Sequence, residues 1–302
     1  MIDRWGREIT GIRFSLTQKC NLNCIYCHKE GENTSTHELT AKEIERVALV
    51  GAKLGIKKIK FTGGEPLLRR DLKEIIGAIS PYYEDVSLTT NATILTKEMA
   101  EDLKDAGLSR INVSLDTLNE EDCEKITGRN CLKDVLKGIE SAGDAGFYPI
   151  KLNMVLMKGI NEKEIEPMFK FAKENGLILQ LIELHTSKEG SLKDFYRTYH
   201  TDLTQIEERL RQKSSKVVER SMQNRCKYFI NGGEIEVVRP MHNTQFCSNC
   251  KRIRVTSQGE LKPCLLRNDN HLDLKHALNA PDEEELISLF KECCLRREPY
   301  WR

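Results

Sequence analysis

The chain has 302 residues, with 47 Lys and Arg against 46 Asp and Glu for a formal net charge of +1, and 11 cysteines. A balance so close to neutral removes any global electrostatic case for a nucleic-acid partner. With no apolar run of about 18 residues and no apolar signal core after Met1-Ile2-Asp3-Arg4-Trp5, the chain reads as a soluble cytoplasmic protein that neither spans nor binds a membrane. In that compartment so many thiols are not a disulfide framework, and they suit chemistry kept away from oxygen.

The length is enough to bury roughly 75 % of the unfolded surface in one large or two unequal domains. From Gly11 to about Glu183, short apolar runs alternate with amphipathic segments. The pattern predicts strands over 12–16, 56–61, 86–89, 111–115, 151–156 and 178–182, with helices over 40–54, 71–79, 96–106, 131–145 and 162–175. Thr40 three residues before Glu43, and Thr96 before a first turn holding Glu98 and Met99, are helix N-cap signatures. Gly55, Gly107, Gly146 and Gly176 fall where helices should stop.

Repeated strand-helix units call for a mostly parallel sheet with right-handed crossovers. Six strands are two short of a closed eight-fold barrel. The expected fold is therefore α/β, a partial (β/α)6 TIM-like barrel over 1–184, with a smaller C-terminal α+β domain over 185–302. Beyond His185 the sequence predicts a helix over 192–210, a hairpin of 226–230 and 234–238 about Asn231-Gly232-Gly233, and a last helix over 282–294. A partial barrel needs a lid over its open side, and this segment is expected to supply it.

Ligands of such sheets sit at the carboxyl ends of the strands, where the chemically pointed residues gather. Cys20, Cys24 and Cys27 follow the first strand, Gly63 to Pro66 the second, Thr90 and Asn91 the third, Asp116 the fourth and Glu183 the sixth. Three thiols so close can converge on one soft metal centre. Zinc with His28 as a fourth ligand is one reading. A [4Fe-4S] cluster is the other, with one iron left open, since such clusters normally take four thiolates.

Cys247, Cys250 and Cys264 repeat the theme near the C-terminus. A structural zinc knuckle completed by Cys226, His242 or His271 is one account. Beside the trio, however, Lys251, Arg252, Arg254, Lys262 and Arg267 stand against Glu260 alone. Arg252 and Arg254 are alternate residues of an extended segment and so share a face. Two guanidiniums side by side cost energy unless an anion joins them, and Arg matches phosphate bidentately.

The run Cys20-x3-Cys24-x2-Cys27, with Tyr26 before the last thiol, resembles the signature of the radical S-adenosylmethionine (SAM) enzymes. Thr62-Gly63-Gly64-Glu65-Pro66 is similar to that superfamily's GGEP loop. The resemblance implies a [4Fe-4S] cluster on the three cysteines whose open iron binds SAM, and a 5′-deoxyadenosyl radical formed by reductive cleavage. It also implies a partial barrel of the radical SAM type. Tyr26, Gly63, Gly64, Glu65, Thr90, Asn91, Ser114 and Asp116 are then the SAM-binding residues. Glycines allow close backbone approach and a carboxylate suits an ammonium.

Both cysteine trios, with the Arg pair between the second and third thiols of the second trio, together with Gly11-Ile12-Arg13-Phe14-Ser15-Leu16-Thr17, Lys57-Lys58-Ile59-Lys60-Phe61, Arg110-Ile111-Asn112-Val113-Ser114-Leu115-Asp116 and Lys158-Gly159-Ile160-Asn161, resemble the GTP 3′,8-cyclase family of molybdenum cofactor biosynthesis. That resemblance implies a lyase with two [4Fe-4S] clusters. The second would sit on Cys247, Cys250 and Cys264 and bind the guanine of GTP, while Arg13, Lys58, Lys60, Lys151, Arg252 and Arg254 hold the triphosphate. The radical would take the C3′ hydrogen, and C3′ would join C8 to give (8S)-3′,8-cyclo-7,8-dihydroguanosine 5′-triphosphate. The partners implied are GTP and an electron donor such as a flavodoxin or ferredoxin, with a homodimer left open.

Two departures stand out. Better-known bacterial members carry an Arg where this chain has Gln180, and a Gly-Gly tail where it has Arg296-Arg297-Glu298-Pro299-Tyr300-Trp301-Arg302. Arg267 or Arg297 is expected to compensate, or the substrate is held differently. Two other classes stay open: a radical SAM enzyme with an auxiliary cluster acting on another substrate, and a zinc-knuckle interaction protein. Cys123, Cys131, Cys293 and Cys294 read as thiols without a site.

Overall fold

The six apolar runs of the first part of the chain become six neighbouring parallel strands. The computed structural model describes residues 1–32, 37–185 and 193–300. These strands are β1 (Gly11–Ser15), β2 (Lys58–Thr62), β3 (Asp85–Thr90), β4 (Arg110–Ser114), β5 (Lys151–Leu156) and β6 (Ile178–Glu183), side by side in sequence order. Their residues alternate. Phe14, Phe61, Leu88, Val113, Leu152 and Met154 are buried in the apolar core, while Arg13, Lys60, Ser87, Asn112, Lys151 and Asn153 line a cavity on the other side. The period of two thus separates a dry core from a polar interior.

Helices follow as the patterns predict. Thr40 and Glu43 form a reciprocal capping box on Ala41–Lys53, and Thr96 caps Lys97–Asp105. Gly55, Gly107, Gly146 and Gly176 all have φ between 66 and 99° after their helices, backbone that favours glycine. The sequence reading missed the helix Glu120–Thr127, a two-turn segment whose apolar contribution is confined to Cys123 and Ile126.

The C-terminal part behaves differently from the expected lid. It adds strands to both edges of the barrel sheet: β7 (Lys216–Glu219), β8 (Cys226–Ile230) and β9 (Gly233–Val238) on one flank, β10 (Arg252–Val255), β11 (Glu260–Lys262) and β12 (Leu272–Asp273) on the other. β9 pairs parallel with β6, and β10 parallel with β1. Among the described residues this makes one twelve-stranded sheet. Its flanks meet where the Gln223 N–H donates to the Asn249 carbonyl at 2.9 Å, so the segment closes the open side by extending both edges toward each other.

The hairpin of β8 and β9 forms around Asn231 and Gly232, both with positive φ. The helix expected over 192–210 is two, Lys193–Tyr199 and Thr204–Lys213; Leu192 lies outside the described residues. Asp202 explains the break, since its carboxylate accepts from both the N–H and the hydroxyl of Thr204. Among the described residues no helix is long and apolar enough to cross a membrane.

Pairing at both edges has a consequence for the division at 184. A fragment of residues 1–184 leaves β1 and β6 as bare edges, and exposed edges template aggregation. We expect it to elute from size-exclusion chromatography as aggregate with no cooperative melt, where the full chain gives both. A monodisperse, cooperatively unfolding fragment would contradict this.

Candidate functional site

The register between β10, β1 and β2 builds the site. Arg254 pairs with Arg13 and Arg13 with Lys60, placing three cations in one row across adjacent strands. Strands lie about 5 Å apart, and residues in register share a face. Arg252 stands two residues before Arg254 on that face, and Lys58, exposed at the start of β2, two before Lys60. Burial first, then Arg252 and Arg13, drive the Lys60 amine well below its usual range. Arg252 is brought down to about 9 by burial and by Arg13 and Arg254. Glu30 answers part of this charge, lying 2.6 Å from Arg13 and 2.7 Å from Arg254. Among the described residues no carboxylate pairs with Lys60 or Arg252.

A second buried carboxylate organises the opposite wall. Glu236 on β9 pairs with Lys151, with Arg220 at 2.6 Å and with Arg225 at 3.2 Å. Despite burial, these cations hold its carboxyl at about 2. Between the walls lies a cavity of about 750 Å³, lined by all six expected phosphate-binding cations, by Cys247, Cys250 and Cys264, and by Tyr26, His28, Ser114 and His185. The chamber is large enough for a nucleotide.

The second trio is braced by both ends of the chain. Arg7 donates to the Cys247 carbonyl at 2.6 Å, Arg297 donates to the Cys250 carbonyl, and both arginines pair with buried Asp3 at 2.7 Å. Burial, then Cys264 and Cys250, push the Cys247 thiol up to about 11. Burial opposes ionisation of Cys250, yet Arg297 and Arg252 outweigh it and lower that thiol. Both ring nitrogens of His271 are engaged, by Glu260 and by the Arg267 carbonyl, and Cys226 lines a different cavity. Neither is turned to complete a zinc knuckle.

The first trio sits at the rim. Cys20 and Cys27 are exposed and Cys24 half-buried, and none of the three lines the chamber itself; Tyr26 between them does. Burial, then Asp116, Cys27 and Cys20, raise the Cys24 thiol to about 12. A positive iron-sulfur centre would relieve that mutual repulsion. His28 turns away from the trio, its ring 6.0 Å from that of His185 inside the chamber. Among the described residues no three His, Cys, Asp or Glu side chains are grouped tightly enough for a single ion. Three thiols without a fourth side chain is a donor set that fits a cluster with one open iron.

The glycines of Gly63-Gly64 stand against the chain that leads into the cysteine loop. A Cβ on Gly63 would lie 2.5 Å from the Thr17 carbonyl oxygen and one on Gly64 2.2 Å from that of Lys19. The Gly64 and Glu65 N–H groups donate to those carbonyls at 2.6 and 2.7 Å. The close approach they permit is to the start of the cysteine loop. Glu65, 1 % exposed, accepts from the Leu67 N–H, the Thr90 hydroxyl and the Asn91 N–H, which tie the ends of β2 and β3 together. Asn91 in turn donates to Asn21 at 2.9 Å, within the cysteine loop. Asp116 accepts from Tyr26 Oη and the Val155 N–H, both at 2.7 Å.

Sequence reasoning missed Glu30, Glu236, Arg220 and Arg225. A glutamate alternating within β9 was a signal for Glu236, whereas Glu30 sits in a loop with none. Gln180 faces the chamber and donates to Asn153 at 3.1 Å. Arg267 and Arg297 also line it, but their guanidiniums are bound, the first to Asp269 and Glu298, the second to Asp3. They act as struts rather than as free cations.

Burial lifts the Asp116 carboxyl to about 7, against the pull of its hydrogen bonds. The unfolded chain therefore loses this proton at lower pH than the folded one, and the group's contribution falls as pH rises from about 4 to about 7. The Asp116→Asn variant should lack this dependence. Its stability relative to wild type, from urea unfolding, should rise across that window with a slope approaching about 1.4 kcal/mol per pH unit, and a flat difference would contradict the assignment.

Residues 14–172 match the family model described as Radical SAM superfamily, and residues 177–302 match Molybdenum Cofactor Synthesis C. Over 306 residues the chain is 49 % identical to a probable GTP 3′,8-cyclase of Pyrococcus horikoshii, covering 100 % of this chain and 98 % of that protein. A probable GTP 3′,8-cyclase of Methanothermobacter thermautotrophicus is 48 % identical over 301 residues, 99 % of this chain and 98 % of the other. Among solved structures, Streptococcus suis SuiB bound to S-adenosylmethionine superposes with a TM-score of 0.64 at 16 % identity. That match takes in 93 % of this chain and 65 % of SuiB, a likeness of fold.

Proposed function

Because this chain belongs to the radical SAM superfamily, and within it to the GTP 3′,8-cyclases, we propose that it joins C3′ of GTP to C8, the opening step of molybdenum cofactor biosynthesis. The observation that carries this reading is the cation row of Arg254, Arg13 and Lys60, with Arg252 beside it, facing the same chamber as three cysteines.

The family's [4Fe-4S] cluster would be held by Cys20, Cys24 and Cys27, with SAM against it; bound there, they supply the 5′-deoxyadenosyl radical that takes the C3′ hydrogen. A second [4Fe-4S] cluster would be held by Cys247, Cys250 and Cys264 and take the guanine. Arg7 and Arg297 fix the backbone of that second loop from behind, and Arg252, two residues from Cys250, reaches the same space. Tyr26 and Ser114 line the chamber on the side of the first trio, where the adenosyl group must reach in. Glu65, Thr90 and Asn91 hold the cysteine loop at the strand ends, so their part in SAM binding is to shape the pocket.

The triphosphate lies along the cation row. Arg252 and Lys60, which have no carboxylate of their own among the described residues, contribute most of the attraction, and Arg13 and Arg254 add N–H donors in a fixed orientation. Enclosure between two walls keeps water from the radical. A flavodoxin or ferredoxin is the class of donor for the electron, and a reducing cytoplasm suits eleven free cysteines.

Anaerobically prepared protein should hold about eight irons per chain. With SAM, reductant and GTP it should release 5′-deoxyadenosine together with cyclised nucleotide, and deoxyadenosine formation indifferent to GTP would sink the substrate. Arg252→Ala should lower kcat/KM for GTP by about 10- to 100-fold, the loss of a charge-assisted contact, with iron content unchanged.

A further inference from the structure

Among the described residues Glu30 is the one anion set within the cation row, and the fold goes to some length to put it there. Lys29, Glu30 and Gly31 have successive φ values of 48, 53 and 64°. Left-handed backbone is uncommon for residues with side chains, and it persists where the surroundings over-determine it. Here they do. The Gly31 carbonyl accepts from the fully buried Lys262 amine at 2.5 Å, and a Cβ on Gly31 would fall 2.5 Å from that nitrogen. The next residue, Glu32, accepts from the N–H and the hydroxyl of Ser257 at 3.1 and 2.6 Å. Pinned from β11 and from the turn after β10, the segment drives the Glu30 carboxylate in between β10, β1 and β2. One oxygen accepts from Arg13 Nη2 at 2.6 Å and from the Thr62 hydroxyl at 3.1 Å, and the other from Arg254 Nη1 at 2.7 Å.

We propose that Glu30 is a positioning residue for the nucleotide's phosphates: it fixes the Arg13 and Arg254 guanidiniums so that their remaining N–H groups face the triphosphate. The inference rests on the cyclase reading. Each contact uses a single terminal nitrogen, so each fork keeps donors to spare. Arg13 Nε is buried and has no partner within the protein. A carboxylate is required because both neighbours are pure donors. A carboxamide offers one accepting oxygen, and its NH2 would oppose an N–H, so Glu30→Gln frees one of the two arginines. The same change makes the chamber more positive, which on its own would attract phosphate. Orientation and charge balance therefore predict opposite signs.

The test is calorimetric titration of GTP into the anaerobically reconstituted full chain. Glu30→Gln should raise the Kd for GTP about tenfold or more, the loss of a charge-assisted contact, while the Kd for SAM stays as in wild type. In an Arg254→Ala background the same substitution should add much less, because one of the two arginines is already gone and the remaining amide oxygen suffices to hold Arg13. Tighter or unchanged GTP binding, or full additivity in the double variant, overturns the proposal. If Glu30→Gln does not fold, Thr62→Val carries the test. It removes one anchor of the carboxylate and should weaken GTP binding several-fold, and a folded Thr62→Val protein with wild-type affinity overturns the proposal. Wild type that binds no GTP would overturn the cyclase reading instead, a result separate from a wild type that binds and a Glu30→Gln variant that binds equally well.

Discussion

Like charges held in register on neighbouring strands are the constraint on which the rest of this molecule turns. Parallel pairing puts Arg254, Arg13 and Lys60 in line, and nothing in sheet geometry lets them move apart. A sheet that accepts such a row needs compensating anions. Among the described residues one carboxylate, Glu30, pairs with the row, so the row keeps an excess of positive charge facing the chamber. A buried excess is costly for a protein that must also stay folded, and it makes sense where a polyanionic ligand completes the neutralisation. The lowered values for Lys60 and Arg252 express the same cost from the side of the cations.

The row exists because the chain returns. β1 alone carries one of its cations, and Arg254 arrives from residues more than 200 positions later, when β10 docks on the edge that β1 would otherwise expose. The same docking brings the second cysteine trio to the chamber, since Cys250 lies just before β10 and Cys264 just after β11. Edge protection, assembly of the cation row and placement of the second cysteine trio are thus one structural event. The Lys29-Glu30-Gly31 turn ties it to the first site, running from the first cysteine loop into contact with Arg254 and Lys262. Neither cysteine trio can shift far without disturbing the other.

Much of the barrel was legible in the sequence because its signals are local. Strand alternation, the caps at Thr40 and Thr96 and the stop glycines are all decided within a few residues, and the structure repeats them. Cys20-x3-Cys24-x2-Cys27 was legible for the same reason. The partners of Arg13 and Lys151 were not. Glu30 owes its place to a left-handed turn held by Lys262, which leaves no mark in the surrounding residues, and Glu236 to parallel pairing of β9 with β6, where the alternation of β9 marks the glutamate but not the strand it faces. The glycines of Gly63-Gly64 show a subtler gap, since the need for close backbone approach was readable but not which backbone would approach. Likewise Arg252-Ile253-Arg254 was readable as extended, while the strand it pairs with was not.

The amide at position 180 follows from the same electrostatics. Gln180 lies in register with Glu236 across the β6–β9 pair and with Asn153 on its other side. Three cations already converge on Glu236: Lys151 from the barrel, and Arg220 and Arg225 from the turn between β7 and β8. A guanidinium at 180 would compete for a carboxylate whose two oxygens are both taken, and would add a fourth positive charge to a buried wall. An amide instead donates to Asn153 and leaves the balance unchanged. On this wall two of the three cations enter from the turn between β7 and β8, so β6, the barrel strand beside β9, can be neutral at position 180. The chamber keeps its cationic character while the burden shifts from one side of the fold to the other.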